Sequence, residues 1–383
     1  MATGEWEASI PPIACNVPLI KSVVNEPRGP GSGMGLVNAW ERGLLGIAVS
    51  NTGINNSDKN GTTFSTIHPD KNAQEYSGGG GTRYVFLYFT RGELAESDGS
   101  DSCPIPNLCQ NNSLVDGNSV ANHLYRYEFR DDRLVNPKLL LKLPATPGAD
   151  HNGGALAIGP DNNVYVIVGD GDSCVADTCY ENFEHSVLNS MRSNFENGTV
   201  PDGRGGILRV TQEGNTVRSE NDIGNWQQEG MREGWGILGD THPLNKYYAY
   251  GIRNGFGLDF DPTTGILWDT ENGAGFGDEI NLVEPGFNSG WEKMQGIWPI
   301  SSYISTTIWR SFSYTDSNIT KAIENDTLVN FNEKGKYSAP EFTWDIEIAP
   351  TALKFYDSDK LGKHYENDMF VAGFLSGNIF ILI

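Results

Sequence analysis

The chain has 383 residues, and 49 acidic residues against 27 basic ones give it a formal net charge of −22. A surface this acidic repels a phosphate backbone, which argues against nucleic acid as a partner. No apolar stretch approaches the length needed to cross a bilayer, so no membrane-spanning segment is predicted.

A pattern of two apolar segments around a turn recurs four times along the chain. The first copy is ERGLLGIAVS (41–50) followed, after a long insert, by RYVFLYFT (83–90), and later copies span 153–170, 257–273 and 352–374. Short runs rich in Val, Ile, Tyr and Phe between Gly, Asp and Asn turns are typical of β-strands. Long amphipathic helical patterns are scarce, so the sequence predicts an all-β chain.

The spacing of the copies indicates the architecture. They begin about 100 residues apart, and weaker strand-like pieces lie between them at 123–129 and 205–210. If a four-stranded sheet takes about half of that spacing, the clear copies mark alternate blades of a β-propeller. We therefore expect residues 1–383 to form a single propeller domain of four-stranded antiparallel blades.

Three long inserts separate the predicted strands. They cover 51–81, 92–120 and 171–204, and the first of them contains a run of four glycines and little apolar content. Long loops often border a binding site, although each of them is equally well explained as a solvated decoration.

The cysteines indicate an oxidising compartment. Cys103 and Cys109 enclose one short loop, Cys174 and Cys179 enclose another, and Cys15 is left over. Two close pairs in loops favour local disulfides over a zinc site, which would require a different ligand spacing. Six Asn-x-Ser/Thr sequons also fit an exported protein, so an extracytoplasmic location is predicted.

The stretch DHNGGALAIGPDNNVYVIVGDGD (150–172) combines a hairpin with chemistry-bearing residues. His151 precedes two glycines and the first apolar run, and Asp170 follows the second run. A hairpin brings its two ends together, so a carboxylate could orient an imidazole there. The alternative is a structural histidine that caps a strand.

Several long motifs resemble one known family. HNGGALAIGPDNNVYVIVGD, YAYGIRNGFGLDFDPTTGILWDTENG and GDEINLVEPGFNSGWEKMQG are similar to segments of the glucose/sorbosone dehydrogenases, as are ERGLLGIAV and YRYEFRDDRLVNPKLLLKLP. The resemblance extends from about residue 40 to the C-terminus. It implies a six-bladed β-propeller that holds pyrroloquinoline quinone (PQQ) and calcium over a central funnel.

The resemblance also implies site residues. His151 matches the family's general base, Asp170 the carboxylate that orients it, and Arg253 and Asn254 the pair that holds the quinone. A histidine suits this role because its pKa lies near neutrality. A cation such as Arg253 would stabilise negative charge that develops on the quinone oxygen during hydride transfer, although an arginine paired with a local carboxylate is the plain alternative.

The resemblance also implies a calcium site that is formed by main-chain carbonyl oxygens. The family segment that supplies carbonyl oxygens to the PQQ-bound calcium matches Gly273 and Ala274, and calcium prefers oxygen ligands.

In other places the chain departs from the family. Leu375 stands where some members have a lysine that contacts PQQ, and the chain ends at Ile383 before the arginine pair of the last blade. We therefore expect the propeller to be incomplete at both ends.

These features predict PQQ-dependent oxidation of an aldose at C1 to the lactone, with calcium and an external electron acceptor. The alternative is a non-catalytic propeller that binds protein or glycan and has lost the quinone clamp. Neither a G-x-S-x-G nucleophile motif nor a nicotinamide-binding fingerprint is found in the sequence, which argues against a serine hydrolase and an NAD enzyme.

Overall fold

The computed structural model describes residues 34–36, 41, 43–50, 83–93, 120–145, 150–171, 201–217, 236–273, 276–291, 293–299 and 328–382. Within these ranges the regular structure is β-strand, apart from two short 3₁₀ turns at Leu244–Lys246 and Lys363–Tyr365. The prediction of an all-β fold is confirmed. The five cysteines and the six sequons lie outside the described residues, so the disulfide prediction stays a prediction.

The first two sheets are up-and-down antiparallel sheets of consecutive strands. Sheet 1 contains β1 (Met34–Leu36), β2 (Leu44–Val49), β3 (Arg83–Glu93), β4 (Val120–Arg130) and β5 (Arg133–Pro144); β1 and β2 both pair with β3. Sheet 2 runs through β6 (Leu156–Ile158), β7 (Val164–Val168), β8 (Gly206–Val210) and β9 (Tyr247–Tyr250).

The second half of the chain forms two further sheets. Sheet 3 contains β10 (Gly255–Phe260), β11 (Leu267–Glu271), β12 (Asp278–Val283) and β17 (Phe342–Trp344). Sheet 4 contains β18 (Pro350–Phe355), β19 (Met369–Gly373) and β20 (Ile379–Leu382). The remaining strands are short: β13 (Phe287–Asn288) and β16 (Lys336–Tyr337) extend sheet 2 in parallel, and β14 (Met294–Gln295) pairs with β15 (Trp298–Pro299).

The sheets are arranged around a common axis by their first long strands. β2 contacts β6, β6 contacts β10, and β10 contacts β18. These four strands line an open cavity of about 520 Å³. This is the arrangement of successive blades in a β-propeller, in which the first strand of each blade lies innermost. Four such sheets are described, and a ring of six blades stays a prediction.

The prediction that the clear repeats mark alternate blades was wrong. The pieces at 123–129 and 205–210 are not separate blades, because β4 and β8 are interior strands of sheets 1 and 2. Among the described residues, each interval of about 100 residues therefore contains one blade, and the repeats mark successive rather than alternate blades. Long inserts within the blades account for the difference.

The central strand β7 is buried on both faces. In β7, whose sequence is VYVIV, Val164, Val166 and Val168 pack against sheet 1, in a cluster that contains Phe86 and Tyr88. The alternating residues Tyr165 and Ile167 face the other way and pack with Leu258, Leu267 and Val283 of sheet 3. Because side chains alternate between the faces of a strand, a continuous apolar run is what a strand between two sheets requires.

This topology brings one end of every sheet to the same place. In an antiparallel pair, the start of the first strand and the end of the second lie at the same edge. The segments that precede β2, β6, β10 and β18 and those that follow β7, β11 and β19 therefore gather at one end of the axis, hereafter the upper end. The motif residues lie in these segments.

Candidate active site

Residues from separate sheets meet at the upper end. His151 precedes β6, Asp170 follows β7, Arg253 and Asn254 precede β10, and Gly273 follows β11. Main-chain bonds connect the neighbouring segments: the Asp170 N–H donates to Arg253 O (2.7 Å) and the Gly171 N–H donates to His151 O (3.2 Å). The structure thus brings together the five described residues that the sequence predicted for the site. Ala274, the sixth, lies outside the described residues.

The two glycines after His151 allow the loop to pack closely. Gly153 and Gly154 have φ angles of +62° and +120°, which L side chains rarely adopt. A Cβ on Gly153 would lie 2.6 Å from Ile167 O, and one on Gly154 would overlap the Leu45 side chain. His151 itself is held at φ +56°, an unusual conformation for a residue other than glycine. The HNGG sequence therefore presses the histidine-bearing loop onto β2 and β7.

His151 and Asp170 form a buried pair. Nδ1 of His151 lies 2.6 Å from Oδ1 of Asp170, and the two residues are only 7% and 3% exposed. An ionised carboxylate can only accept hydrogen bonds, so Nδ1 is the donor in this contact, and in the neutral imidazole Nε2 is then the acceptor. Burial alone would raise the pKa of Asp170, but the interactions with His151, Arg253 and Trp291 outweigh it and hold that pKa below its ordinary value.

Trp291 connects this pair with the arginine. Its indole Nε1–H donates to the second oxygen of Asp170, Oδ2, at 2.8 Å. The Arg253 guanidinium lies over the same indole, with 5.4 Å from Cζ to the ring centroid. This distance is within the range of a cation–π contact. Asp170 and Arg253 therefore both contact the indole ring of Trp291.

The Arg253 side chain is directed at two carbonyl groups. Its Nη1 donates to Asn272 O and to Gly273 O, each at 2.8 Å. Two oxygens that converge on one positive group are a suitable donor set for a hard cation, since calcium binds carbonyl oxygens at about 2.3–2.6 Å. The described residues thus fit the expected calcium contact at Gly273, with the guanidinium directed at the same oxygens.

Asp278 fixes the position of these carbonyl groups. Its Oδ1 accepts from the Gly273 N–H (2.8 Å), and its Oδ2 accepts from the N–H groups of Ile348 (2.6 Å) and Ala349 (2.8 Å). The turn after β11 is thereby tied to the segment that precedes β18. A fully buried carboxylate with three main-chain donors is well satisfied, so the turn has little freedom.

Glu41 joins the histidine loop to Asn254. One carboxylate oxygen accepts from the His151 N–H at 2.6 Å, and Asn254 Nδ2 lies 3.3 Å from both oxygens. The Oδ1 atoms of Asn254 and Asn272 are buried and have no hydrogen-bond partner among the described residues. Buried acceptors without partners are costly, so they favour a ligand that donates hydrogen bonds here.

A second series of side-chain hydrogen bonds connects the histidine loop to sheet 1. The Thr90 hydroxyl donates to Asn122 Oδ1 (2.6 Å), and Asn122 Nδ2 donates to Asn152 Oδ1 (2.8 Å). All three residues are buried. The residue next to His151 is therefore anchored in a neighbouring blade.

Behind the site, sheet 3 carries a buried row of carboxyl groups. Asp269 and Glu271 on β11 lie opposite Asn281 and Glu279 on β12, and Asn281 Nδ2 donates to Asp269 and Glu271 at 3.0 Å each. Burial, reinforced by the neighbouring carboxyl groups, raises the pKa of Asp269, Glu271 and Glu279 well above the usual range. Within the described ranges, no three His, Cys, Asp or Glu side chains are grouped to hold a metal ion.

Sequence reasoning missed Glu41 and Trp291 as parts of the site. Both lie inside segments that carried the family resemblance, ERGLLG and NSGWEKMQG. A signal was therefore present, but only the fold shows which atoms these side chains contact. Leu375 lies after β19 at the upper end and is 58% exposed, with its N–H bonded to Ile348 O (3.0 Å).

Comparison with known proteins identifies the family. The glucose/sorbosone dehydrogenase family model matches residues 108–382, which is well over half of the chain. The chain belongs to the glucose/sorbosone dehydrogenase family. The family resemblance inferred from the sequence motifs is confirmed.

Curated relatives of this chain include two named enzymes. It is 25% identical over 201 residues to the aldose sugar dehydrogenase YliI of Escherichia coli K12, which covers 50% of this chain and 48% of that protein. It is 30% identical over 188 residues to quinoprotein glucose dehydrogenase B of Acinetobacter calcoaceticus, covering 49% and 35%. An uncharacterized Synechocystis protein, slr1608, is 26% identical over 266 residues, covering 69% and 53%. The chain spans about half the length of the curated relatives it matches, or less.

Solved structures of similar proteins include two aldose sugar dehydrogenases. The PQQ-bound enzyme of Streptomyces coelicolor has a TM-score of 0.45 and 19% identity, with coverage of 90% of this chain and 64% of that one. The apo-form of the Escherichia coli enzyme has a TM-score of 0.44 and 16% identity, with coverage of 77% and 64%. Likeness at this level adds no argument, and the family assignment rests on the family model. Among the described residues, no helix is long and apolar enough to cross a membrane.

Proposed function

We propose that this protein oxidises an aldose sugar at C1 to the lactone, with PQQ and calcium as cofactors. The observation that carries the proposal is the buried His151–Asp170 pair, 2.6 Å apart, beside the Arg253 guanidinium. The oxidation removes a proton from the C1 hydroxyl and a hydride from C1, which together leave a C=O bond. One group must accept the proton, and a second must accept the hydride.

His151 is the proposed proton acceptor. Because Asp170 holds the proton on Nδ1, Nε2 is the basic nitrogen. The buried carboxylate also stabilises the imidazolium that forms when Nε2 takes the hydroxyl proton. The polar contacts through Glu41 and Asn152 limit the movement of the loop, which keeps the imidazole in one orientation.

Arg253, Asn254 and the turn at Gly273 are the proposed cofactor contacts. When bound, PQQ supplies the two-electron acceptor that takes the hydride from C1. Arg253 places positive charge where negative charge develops during that transfer, and the amide oxygen of Asn254 accepts a hydrogen bond from the ligand. The carbonyl oxygen of Gly273, together with that of Ala274, would bind calcium.

The remaining predictions extend the proposal. An external electron acceptor is needed to reoxidise the cofactor after each turnover. An extracytoplasmic location fits the cysteine pairs and sequons outside the described residues. The alternative, a non-catalytic binding module, is not favoured, because such a module has no use for a buried imidazole–carboxylate pair next to a cation.

The test is aldose-dependent dye reduction by the purified chain loaded with PQQ and calcium. We expect His151→Ala to lower turnover by roughly 10²–10⁴-fold, the usual contribution of a general base. Asp170→Asn should also lower turnover, because an amide can hold the imidazole in the wrong tautomer. His364→Ala is the matched control, since His364 is an exposed histidine in the 3₁₀ turn before β19.

Equal rates for His151→Ala and the unchanged chain would contradict the mechanism. Dye reduction that is independent of PQQ would contradict the cofactor assignment. Calorimetric titration with PQQ separates the alternative, because a folded chain that binds no PQQ would favour the binding module.

A further inference from the structure

Trp291 reaches the site from a rigid segment of backbone. It follows a tight turn after β13, where Gly290 adopts φ +98°. The Trp291 N–H donates to Gly251 O, and the Ser289 N–H donates to Tyr250 O, each at 3.0 Å. The indole is therefore carried by backbone that is bonded to the end of β9, the strand of sheet 2 that β13 extends.

The indole N–H holds the carboxylate of the pair in one orientation. Oδ1 of Asp170 contacts His151 Nδ1, and Oδ2 accepts from Trp291 Nε1 at 2.8 Å. An indole N–H is a donor only, so it requires an acceptor and cannot exchange roles with the carboxylate. Rotation of the Asp170 carboxylate would break both bonds at once in an environment that is almost closed to water.

Asp170 and Arg253, two opposite charges that both contact Trp291, do not form a direct ion pair. Asp170 and Arg253 are neighbours, since the Asp170 N–H donates to Arg253 O at 2.7 Å. The charged groups nevertheless have other partners: the carboxylate bonds to His151 and Trp291, and the guanidinium bonds to Asn272 O and Gly273 O and lies over the indole. A direct ion pair would remove the carboxylate from the histidine and neutralise the cation.

We propose that Trp291 is a positioning residue, whose N–H keeps Asp170 aligned with His151 and whose ring keeps Arg253 directed away from that carboxylate. The assignment of a role in catalysis rests on the proposed function. Trp291 itself is not assigned a contact with the sugar or the cofactor, so its effect must pass through Asp170 and Arg253.

Two substitutions separate the roles of the donor and the ring. Trp291→Phe keeps an aromatic ring under Arg253 but removes the N–H, and we expect turnover of the PQQ-loaded chain to fall roughly tenfold, as for loss of a hydrogen bond to a charged group. The KM for the sugar and the affinity for PQQ should stay within about twofold, because the substrate contacts are unchanged. Trp291→His keeps a ring and a donor and should retain more turnover than Trp291→Phe.

The double variant shows whether the effect passes through Asp170. In the Asp170→Asn background, Trp291→Phe should reduce turnover by less than about twofold further, since the carboxylate on which it acts is already absent. Independent, multiplicative losses would mean that Trp291 acts elsewhere and would overturn the proposal. Thermal unfolding of each variant controls for general loss of structure. If Trp291→Phe does not fold, Trp291→Leu, which also lacks the donor, carries the same comparison in the two backgrounds.

A spectroscopic measurement on the cofactor-free protein separates this inference from the proposed function. With ¹⁵N-labelled histidine, the Nδ1–H of His151 should give a downfield proton resonance, assigned by its loss in His151→Ala. Trp291→Phe should shift or broaden that resonance, and Trp291→His should restore it in part. An unchanged resonance would contradict the inference even in an active enzyme. A changed resonance in a chain that never oxidises sugars would contradict the function and leave the positioning role intact.

Discussion

Glu41 and His151, 110 residues apart in the chain, are joined by a 2.6 Å hydrogen bond from the His151 N–H to the Glu41 carboxylate. The bond connects the segment before β2 with the segment before β6, the innermost strands of two successive blades. The backbone conformation of the histidine, which has φ +56°, therefore depends on a side chain from another blade.

Removal of this carboxylate should loosen the site. Glu41→Ala leaves the His151 N–H and the Asn254 amide without their acceptor, so we expect turnover to fall by roughly tenfold. Glu41→Gln keeps one acceptor oxygen and should have a smaller effect. Steady-state dye reduction measures both, with the exposed Glu341→Ala as control. If Glu41→Ala matched the control, the bridge between the blades would have no role in turnover.

Removal of the Arg253 charge should make the neighbouring carbonyl groups available. The guanidinium donates to Asn272 O and Gly273 O, so it would compete with a calcium ion for the same oxygens. We expect Arg253→Met to bind calcium more tightly than the unchanged chain in the absence of PQQ, and to bind PQQ more weakly. Titration calorimetry measures both affinities.

Arg209→Met is the matched control for that substitution, because Arg209 lies over Tyr248 and near Asp161 in sheet 2. It should change neither affinity. Equal calcium affinity for Arg253→Met and the control would mean that the two carbonyl groups do not form the calcium contact.

The buried carboxyl row should make stability depend on pH. Burial raises the pKa of Asp269 above its value in the unfolded chain, so the folded state retains the proton more strongly. The folded state tolerates the buried Asp269 carboxyl group best when it is protonated, at low pH. The free energy of unfolding therefore falls as the pH rises above the pKa of an unfolded aspartate, about 3.9. Asp269→Asn should therefore raise the melting temperature by several degrees at pH 8 and by little at pH 4.

Melting curves at the two pH values test this, with the exposed Asp240→Asn as control. The asparagine oxygen can still accept from Asn281, so the variant keeps the bond that Asp269 makes. A variant that is destabilised equally at both pH values would show that the charge of Asp269 is not the cause.

Gly46 on β2 should tolerate no side chain. A Cβ at this position would overlap the carbonyl oxygen of Gly154 in the histidine loop. Overpacking of this kind usually costs about 1–3 kcal/mol, and a main-chain neighbour has little room to move. Gly46→Ala should lower both the melting temperature and turnover.

Gly265→Ala is the control for Gly46→Ala. It introduces strain at φ +71°, but its nearest neighbour is a Pro160 atom at 3.7 Å. It should lower stability by about 1 kcal/mol without any effect on turnover. If the two variants behaved alike, close approach between β2 and the loop would not matter for the site.

Much of the fold followed from local patterns. The alternation and turn chemistry of GPDNNVYVIV predict a hairpin, and in the structure the Asp161 carboxylate accepts from the Asn163 N–H (3.1 Å) between β6 and β7. Side-chain alternation is a local property of the chain, so the sequence predicts it well. Local patterns did not reveal which strands share a blade, because polar inserts of variable length separate strands of the same sheet.

For the site, the sequence by itself determined which groups are present: an imidazole before β6, a carboxylate after β7, and an Arg-Asn pair before β10. Only the tertiary structure decided their partners. The contacts of Trp291 with Asp170 and of Glu41 with His151 join residues 121 and 110 positions apart, and the backbone of Arg253 is bonded to a carboxylate of the buried row, that of Glu271. The packing of successive blades around one axis sets these distances, and no local pattern in the chain encodes that packing.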